Sequence, residues 1–370
     1  MKRTTLRLLA LTALSALWLS GCTSGQPKVR VIPDETPRQA QTLTVQGVNR
    51  LAGGFLHDWS PDGQKLVFSA PAEGQEEFGE VRPRILWIMN RDGSGRRALT
   101  QPDRTVHNFA RWSPDGRLIA FIKGVEESFH LYVIGPDGTE ERRLSAEGEL
   151  VQGYEYNWSS DGKRLVYTGR GAGGLHLVTV DVDTGERKAF PVGRLNGTEP
   201  ASAPLNPTLL PDGRLLFRAM KSMEDGQNFL YLADARGQVI KAIDQADFFS
   251  VSPDGKRVAY VRPSSGEGLF VADLESGQSS RIVDGAAYEP AWSPDGSWIA
   301  FGKSPNPQPR DLWVVRPDGT DALQLTSNIT ASGLRWAPDA KALAFTGWNM
   351  SLQPDNPEFT MVYVVTLGTR

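Results

Sequence analysis

A short cassette built around the tetrapeptide Ser-Pro-Asp-Gly, or a close variant of it, occurs seven times along this 370-residue chain. An apolar or aromatic residue precedes each copy, and a β-branched or aromatic run follows it. Successive aspartates lie 53, 46, 51, 42, 41 and 44 residues apart. A period of about 40 to 50 residues with β character throughout is typical of a propeller with one blade per repeat. The seven copies begin at Trp59, Trp112, Trp158, Leu209, Val251, Trp292 and Trp336.

Each repeat can be divided into four strands, and the cassette forms the turn between the first two. In this turn proline presets φ near the required value, aspartate caps the bend, and glycine supplies a positive φ. The strand that follows is apolar with little interruption, as in Leu66-Val-Phe68 and Ile299-Ala-Phe301. Such runs indicate strands that are buried on both sheet faces. The aspartates are therefore interpreted as turn formers and not as catalytic groups.

The seventh repeat contains only three recognisable strands before Arg370. An unpaired blade edge is costly, and residues 42–52 resemble the fourth strands of other repeats, such as Arg97-Ala-Leu-Thr100. We therefore predict an all-β fold for residues 42–370. It is a seven-bladed β-propeller of four-stranded antiparallel blades, closed by residues 42–52, which complete the last blade.

The N-terminal residues have the pattern of an export signal. Three basic residues are followed by an apolar run from Leu8 to Leu19, which is too short to span a membrane. The run leads to Cys22 in a sequence that resembles a bacterial lipobox. We predict a signal peptide over residues 1–21, lipidation at Cys22, and a flexible tether over residues 22–41. The expected location is the cell envelope: the periplasmic face of the outer membrane in a Gram-negative host, and the cell surface otherwise.

The charge and cysteine content exclude some classes of protein. The formal net charge is −3, and no basic stripe is visible, which argues against nucleic acid as a partner. Cys22 is the only cysteine, so no disulfide is expected.

The repeated sequence resembles that of the TolB-like propeller lipoproteins, whose repeat is also called WD40-like. The resemblance rests on the Trp-Ser-Pro-Asp-Gly cassette, the strand Leu66-Val-Phe68, the turn Arg91-Asp-Gly-Ser-Gly95 and the pair Leu99-Thr100. It covers roughly residues 42–370. The resemblance implies an exported propeller that acts as a scaffold for binding.

Binding residues are predicted on the face opposite the Asp-Gly turns, because the longer and more variable loops collect there. The residues where the chain reaches the first strands should surround the mouth of the channel, and aromatic residues of the long loops should join them. A funnel with imidazole, carboxylate and aromatic groups suits a ligand or a protein partner. The candidate binding residues are His57, Asp58, His107, Tyr154, Glu155, Asp247, Tyr288, Glu289, Phe78, Trp348 and Phe359.

Two enzyme classes were considered. Serine hydrolysis needs a Gly-x-Ser-x-Gly elbow and a late histidine, whereas the chain has no such elbow and its last histidine is His176. A metal-dependent polysaccharide lyase would use channel histidines, for which only His57 and His107 are suitably placed. The expectation is a monomeric, non-catalytic module without metal or cofactor. It would be anchored to the membrane by its lipid and bind an envelope protein or peptide, or a glycan. The lyase is the alternative.

Overall fold

The computed structural model describes residues 43–72, 83–125, 128–171, 174–190, 204–221, 226–262, 268–304, 309–349, 352 and 359–369. In this part of the chain all regular elements are β-strands, and they form seven four-stranded antiparallel sheets. The sheets follow one another as the blades of a propeller, which confirms the predicted fold. No helix long and apolar enough to cross a membrane occurs in the ranges given above.

The first strand of the chain belongs to the last blade, and the next twelve strands form blades one to three in order. Within a blade the strands run from the innermost, which borders the channel, to the outermost. The strands are β1 (Leu43–Gly53), β2 (Phe55–Trp59), β3 (Lys65–Pro71), β4 (Arg84–Asn90), β5 (Arg97–Ala98), β6 (Val106–Trp112), β7 (Ile119–Val125), β8 (Ser128–Ile134), β9 (Arg142–Arg143), β10 (Leu150–Trp158), β11 (Arg164–Gly171), β12 (Gly174–Asp181) and β13 (Arg187–Phe190).

Blades four to six repeat the arrangement, and the last three strands belong to blade seven. These strands are β14 (Leu205–Leu209), β15 (Leu215–Met220), β16 (Asn228–Ala233), β17 (Val239–Gln245), β18 (Phe248–Val251), β19 (Arg257–Val261), β20 (Leu269–Asp273), β21 (Ser279–Val283), β22 (Ala287–Trp292), β23 (Ile299–Lys303), β24 (Asp311–Val315), β25 (Leu323–Gln324), β26 (Thr330–Trp336), β27 (Ala342–Trp348) and β28 (Thr360–Thr369).

The ring is closed by pairing of the two ends of the chain. β1 runs antiparallel to β28, from the pair Leu43 and Thr369 to the pair Gly53 and Met361. Blade seven therefore has the order β26, β27, β28, β1, with β1 as its outer edge. The predicted closure by residues 42–52 is confirmed.

The cassettes form tight turns, as their sequence predicts. In the first, the Asp62 carboxylate accepts hydrogen bonds from the Ser60 hydroxyl at 2.5 Å and from the Gln64 N–H at 3.0 Å. Gly63 has φ +68°, which an L side chain rarely adopts. The second strand then enters the core, where Leu66 and Phe68 are fully buried. The aspartates thus hold the turn, and the apolar strands fill the space between blades.

Tryptophans of the cassettes join neighbouring blades. The indole N–H of Trp59 donates to the backbone carbonyl of Arg335 at 3.1 Å, and that of Trp158 donates to the carbonyl of Arg111 at 3.1 Å. The indole N–H of Trp336 donates to the carbonyl of Ala291 at 3.0 Å. Each of these bonds ties the inner strand of one blade to that of the blade before it.

The inner strands are irregular where they border the channel. In six of the seven blades the pairing of the first two strands is interrupted by a β-bulge, and β18 of blade five is the regular one. A bulge bends the strand and re-aims its side chains.

Candidate functional site

A pocket of about 710 Å³ lies among the inner strands. Its volume is in the range of small-molecule sites, about 300 to 1,000 Å³. Residues from all seven blades line it, so it is centred on the propeller channel.

Two positions of the repeat supply most of the lining. The first lies three residues before the cassette tryptophan or its equivalent, and the second lies directly before that residue. Because the rest of the repeat is similar, these positions carry most of the chemical differences between blades. From blade one to blade seven the first position holds Leu56, Phe109, Glu155, Asn206, Phe248, Glu289 and Gly333, and the second holds Asp58, Arg111, Asn157, Thr208, Ser250, Ala291 and Arg335.

Two guanidinium groups, of Arg111 and Arg335, line the pocket, and neither forms an ion pair with a carboxylate of the described residues. Arg335 donates to the backbone carbonyls of His57 at 2.9 Å and Leu334 at 2.8 Å. The side chain of Arg111 makes no hydrogen bond or ion pair with any residue in the described ranges. Burial, followed by repulsion from Arg111, lowers the pKa of Arg335 to about 10. Two positive charges that repel each other in one pocket are suited to an anionic ligand.

Asp58 lies on blade one, between the blades that carry Arg335 and Arg111, but its carboxylate accepts hydrogen bonds from backbone amides. Its Oδ1 accepts the backbone N–H of Trp59, and its Oδ2 accepts that of Trp112, both at 3.0 Å. Burial raises the pKa of Asp58, and the charges of Arg335 and Arg111 oppose that rise. Asp58 is not part of the pocket lining. The structure therefore gives this predicted binding residue a role in joining blades one and two.

His57 is a buried imidazole in the pocket lining. Its Nε2 atom has no hydrogen-bond partner in the described part of the chain, and its ring centroid is 6.4 Å from that of Phe109. Burial, and then the charges of Arg335, Arg111 and Arg84, lower the pKa of His57 from 6.5 to about 3. The ring is therefore neutral over the physiological pH range.

Two predicted carboxylates also reach the pocket. Oε2 of Glu289 accepts the backbone N–H of Gly333 at 2.7 Å, and Oε1 of Glu155 is 3.4 Å from Arg218. Oε2 of Glu155 is buried without a partner among the described residues. Burial raises the pKa of Glu155, and Arg218 opposes that rise.

Aromatic side chains complete the lining. Phe109 and Phe248 are 43% and 42% exposed, which is unusual for phenylalanine. Phe109 has φ +54° and lies in the bulge of blade two, where its carbonyl accepts the hydroxyl of Tyr156 at 2.6 Å. Strained backbone of this kind clusters at ligand sites.

His107 lies apart from the pocket lining and is fully buried. Its Nδ1 is 2.7 Å from the hydroxyl of Thr100, and its Nε2 is 2.9 Å from that of Thr105 and 3.2 Å from Asp103. Both ring nitrogens are engaged, one with Thr100 beside blade one and the other with the segment that leads into blade two. The structure therefore does not bring together the two histidines that the sequence suggested for a lyase.

The remaining candidates lie around the channel or outside the described structure. Trp348 has its ring centroid 5.7 Å from that of Phe359, and its indole N–H donates to Ser332 at 2.9 Å. Tyr288 lies under the guanidinium of Arg310, whose Cζ is 4.0 Å from the ring centroid. The backbone carbonyl of Asp247 accepts a hydrogen bond from Arg218. Phe78, Cys22 and the side chain of Tyr154 lie outside the described residues. Binding by these residues remains a prediction.

The family assignment follows from the repeat and its turns. The model of the TolB beta propeller domain matches residues 22–250. The chain belongs to this family. Its repeat continues beyond the matched region, since blade six carries the cassette and blade seven carries the close variant Trp-Ala-Pro-Asp-Ala.

Relatives of known name include enzymes. Dipeptidyl-peptidase 5 of Porphyromonas endodontalis is 28% identical over 330 residues, which are 81% of this chain and 43% of the relative. The chain thus spans less than half the length of that protein. The Tol-Pal system protein TolB of Francisella tularensis is 28% identical over 153 residues, 39% of this chain and 34% of that protein. Among solved structures, an oligogalacturonate lyase in complex with manganese has a TM-score of 0.66 at 16% identity, covering 89% of this chain and 96% of the lyase.

These comparisons correct one expectation. The prediction that the chain is not an enzyme is wrong, because the chain groups with proteins named as a peptidase and, in fold, with one named as a lyase. At 16% identity the likeness to the lyase concerns the fold, and its reaction is taken up for this chain as a proposal below.

The donor groups of this pocket do not fit the manganese of that lyase structure. In the described part of the chain, no three histidine, cysteine or acidic side chains converge as a metal-binding group. Three arginines lie close enough to His57 to lower its pKa, and such positive surroundings repel a cation. No metal-dependent step is therefore derived for this protein.

Sequence analysis missed Arg111 and Arg335. Both occupy the position directly before the cassette tryptophan, where the repeat also places Asp58. Alignment of the seven cassettes at this position would have shown the order Arg-Asp-Arg across blades seven, one and two. That order is the sequence signal for a charged pocket.

Proposed function

We propose that this protein is an enzyme that binds the carboxylate of a uronic acid in its channel pocket and cleaves the polysaccharide by β-elimination. The observation that carries the proposal is the guanidinium pair of Arg111 and Arg335, neither of which is paired with a carboxylate in the described structure. A planar guanidinium binds a carboxylate with two parallel hydrogen bonds. The exposed rings of Phe109 and Phe248 offer apolar faces for the sugar rings.

The proposed reaction depends on charge neutralisation. β-Elimination removes the C5 proton next to the carboxylate, forms a C4–C5 double bond, and breaks the C4–O4 bond to the next sugar. Negative charge builds up on the carboxylate as the proton leaves. Arg111 and Arg335 would stabilise that charge through hydrogen-bond donors that are already in place before the reaction.

His57 is the proposed acceptor of the C5 proton. It is neutral at physiological pH, as a base must be, but burial and then the charges of Arg335 and Arg111 lower its pKa and make it a weak base. A substrate carboxylate held by the same arginines offsets their charge and raises the pKa of His57. Binding of the substrate would therefore increase the basicity of His57.

The proposal is tested by incubating the purified protein with oligogalacturonate and alginate and recording the ultraviolet absorbance of the unsaturated uronide. Chelator is included in a parallel set. The wild-type protein should release unsaturated product, and Arg111→Gln should lower kcat by about 10²- to 10³-fold. Arg117→Gln is the matched control, because Arg117 is 54% exposed and pairs with Asp115 in a turn. No product from either substrate, or equal rates of wild-type protein and Arg111→Gln, would contradict the proposal.

The sequence relatives favour a second function. Since the chain aligns with Dipeptidyl-peptidase 5 over 330 residues, the pocket could hold the terminal carboxylate of a peptide that a peptidase processes. The same arginines would bind it. Titration with a tripeptide and with its C-terminal amide distinguishes this function, because it predicts binding of the acid and not of the amide.

We also propose that the protein is located at the cell envelope and is anchored by lipid on Cys22. Membership of the TolB propeller family and similarity to a Tol-Pal system protein support the envelope location. Cys22→Ser should move the protein from the membrane fraction to the soluble fraction. Retention of the variant in membranes would contradict lipidation at Cys22.

A further inference from the structure

Glu155 lines the channel pocket with a carboxylate oxygen that is buried and has no hydrogen-bond partner among the described residues. It lies in the largest bulge of the ring, where the residues between Val151 and Tyr156 face a single residue of β11. Oε2 of Glu155 is buried and has no hydrogen-bond partner in the described ranges, although the residue lines the pocket. A buried oxygen without a partner is costly unless a ligand or a proton satisfies it.

Arg218 holds the other oxygen of Glu155. Its guanidinium reaches from β15 to Oε1 at 3.4 Å and also donates to the backbone carbonyl of Asp247. It lies over the ring of Phe248, with 5.9 Å between Cζ and the ring centroid. These contacts on blades three and five fix the guanidinium. Glu155 is thereby oriented through Oε1, and Oε2 is left for another group.

Three blades in succession carry complementary groups. His57 lies on blade one, Arg111 on blade two and Glu155 on blade three, and all three line the same pocket. A carboxylate bound at Arg111 would therefore have a neutral imidazole on one side and a carboxyl group on the other. Elimination needs a base at C5 and an acid at O4, which are on adjacent carbons of the uronide.

We propose that Glu155 is the catalytic acid that donates a proton to the leaving O4 and that Arg218 is its positioning residue. This inference rests on the proposed lyase function. The C5–H electron pair forms the C4–C5 double bond, the C4–O4 pair moves to O4, and O4 takes the proton of Glu155. The C5 proton is held by His57. Proton exchange of both residues with water restores the starting state.

The surroundings of Glu155 support this assignment. Burial raises its pKa, which favours the protonated form that an acid requires, and Arg218, the backbone of Asn206 and Arg111 oppose the rise. After proton transfer the new carboxylate is stabilised by Arg218. The activity should accordingly fall as the pH rises through the pKa of Glu155.

The test compares wild-type protein with Glu155→Gln on a natural uronide and on one whose O4 leaving group is a nitrophenol. Loss of a general acid should lower kcat on the natural substrate by about 10²- to 10⁴-fold. The nitrophenol leaves without protonation, so both proteins should cleave that substrate at similar rates. A merely structural role of Glu155 would slow both substrates equally. Glu275→Gln is the control, because Glu275 is 91% exposed.

Arg218→Gln provides a second measurement. Removing its positive charge should raise the pKa of Glu155 and move the alkaline limb of the pH–rate profile to higher pH. Two results would overturn the role of Glu155 while leaving the proposed lyase function in place. One is an active wild-type protein with a fully active Glu155→Gln on the natural uronide. The other is an unchanged alkaline limb in Arg218→Gln. Absence of elimination by the wild-type protein would overturn the proposed function as well.

Discussion

The Oδ2 atom of Asp58 accepts a hydrogen bond from the backbone N–H of Trp112, 3.0 Å away on the next blade. The same carboxylate accepts the N–H of Trp59 on its own blade. One side chain therefore links the inner strands of blades one and two. Its carboxyl group also interacts electrostatically with Arg335 and Arg111, which oppose the rise that burial causes in its pKa.

Replacing Asp58 should weaken the propeller. Asp58→Ala leaves two amides without an acceptor and should lower the free energy of unfolding by about 1 to 3 kcal/mol. Asp58→Asn keeps one acceptor oxygen and should have a smaller effect. Urea unfolding measures both, with Asp284→Ala as the control because Asp284 is 83% exposed. Equal stability of Asp58→Ala and the control would contradict the assigned link.

Stability should depend on pH through His57. Its pKa is about 3 in the folded protein and 6.5 as a free group, so the unfolded chain binds more protons between these values. The contribution of the neutral His57 to the free energy of unfolding is complete above pH 6.5. It is lost as the pH falls toward 3, by up to about 1.4 kcal/mol per pH unit. His57→Gln should remove this part of the slope. Parallel curves of unfolding free energy against pH for the two proteins would show that folding does not lower the pKa of His57.

The cassette tryptophans should differ in their contribution to stability. Trp336 donates its indole N–H to Ala291, whereas the indole N–H of Trp292 is buried without a partner among the described residues. Both substitutions by phenylalanine remove similar apolar area, but only Trp336→Phe removes a hydrogen bond. Trp336→Phe should therefore lower the free energy of unfolding by about 1 kcal/mol more than Trp292→Phe. Thermal and urea unfolding measure the difference. Equal losses would mean that the link between blades adds no stability.

Ring closure predicts the effect of shortening the chain. A protein that starts at Gly54 lacks β1 and exposes the edge of β28, whereas one that starts at Thr42 keeps both. The free energy of unfolding of the shorter protein should be lower by at least about 2 kcal/mol, because that is the cost of removing one buried leucine such as Leu43. It should also aggregate more readily through its open edge. Equal melting temperatures would contradict closure by β1.

The fold was predictable because its determinants are local and repeated. The turn of each cassette and the apolar strand that follows it, such as Leu66-Val-Phe68, can be recognised in the sequence. A single copy would be ambiguous, but seven copies together identify the fold. The closing strand followed from the strand count. The pocket was only partly predictable. His57, Glu155 and Glu289 line it, whereas Asp58 and His107 lie outside the lining and are engaged in hydrogen bonds within the fold.

The pairing of the inner strands decides where these side chains lie. A regular strand places His57 and Trp59 on one face and Asp58 on the other. The bulge between Leu56 and Asp58 shifts this register, and no residue pattern in the sequence marks it. The same kind of bulge precedes Arg111. Because the sequence does not mark this bulge, the sequence alone predicts Arg111 as part of a regular strand. Bulges arise from pairing with the neighbouring strand, so the direction of these side chains needs the structure.

The central claim is that Arg111 binds a carboxylate, and calorimetric titration with trigalacturonate and its methyl ester tests it most directly. The wild-type protein should bind the acid and bind the ester much more weakly. Arg111→Gln should weaken binding of the acid by about 10- to 100-fold and leave that of the ester unchanged, as expected for the loss of a charged hydrogen bond of about 1.5 to 3 kcal/mol. Equal affinity of wild-type protein and Arg111→Gln for trigalacturonate would contradict the account.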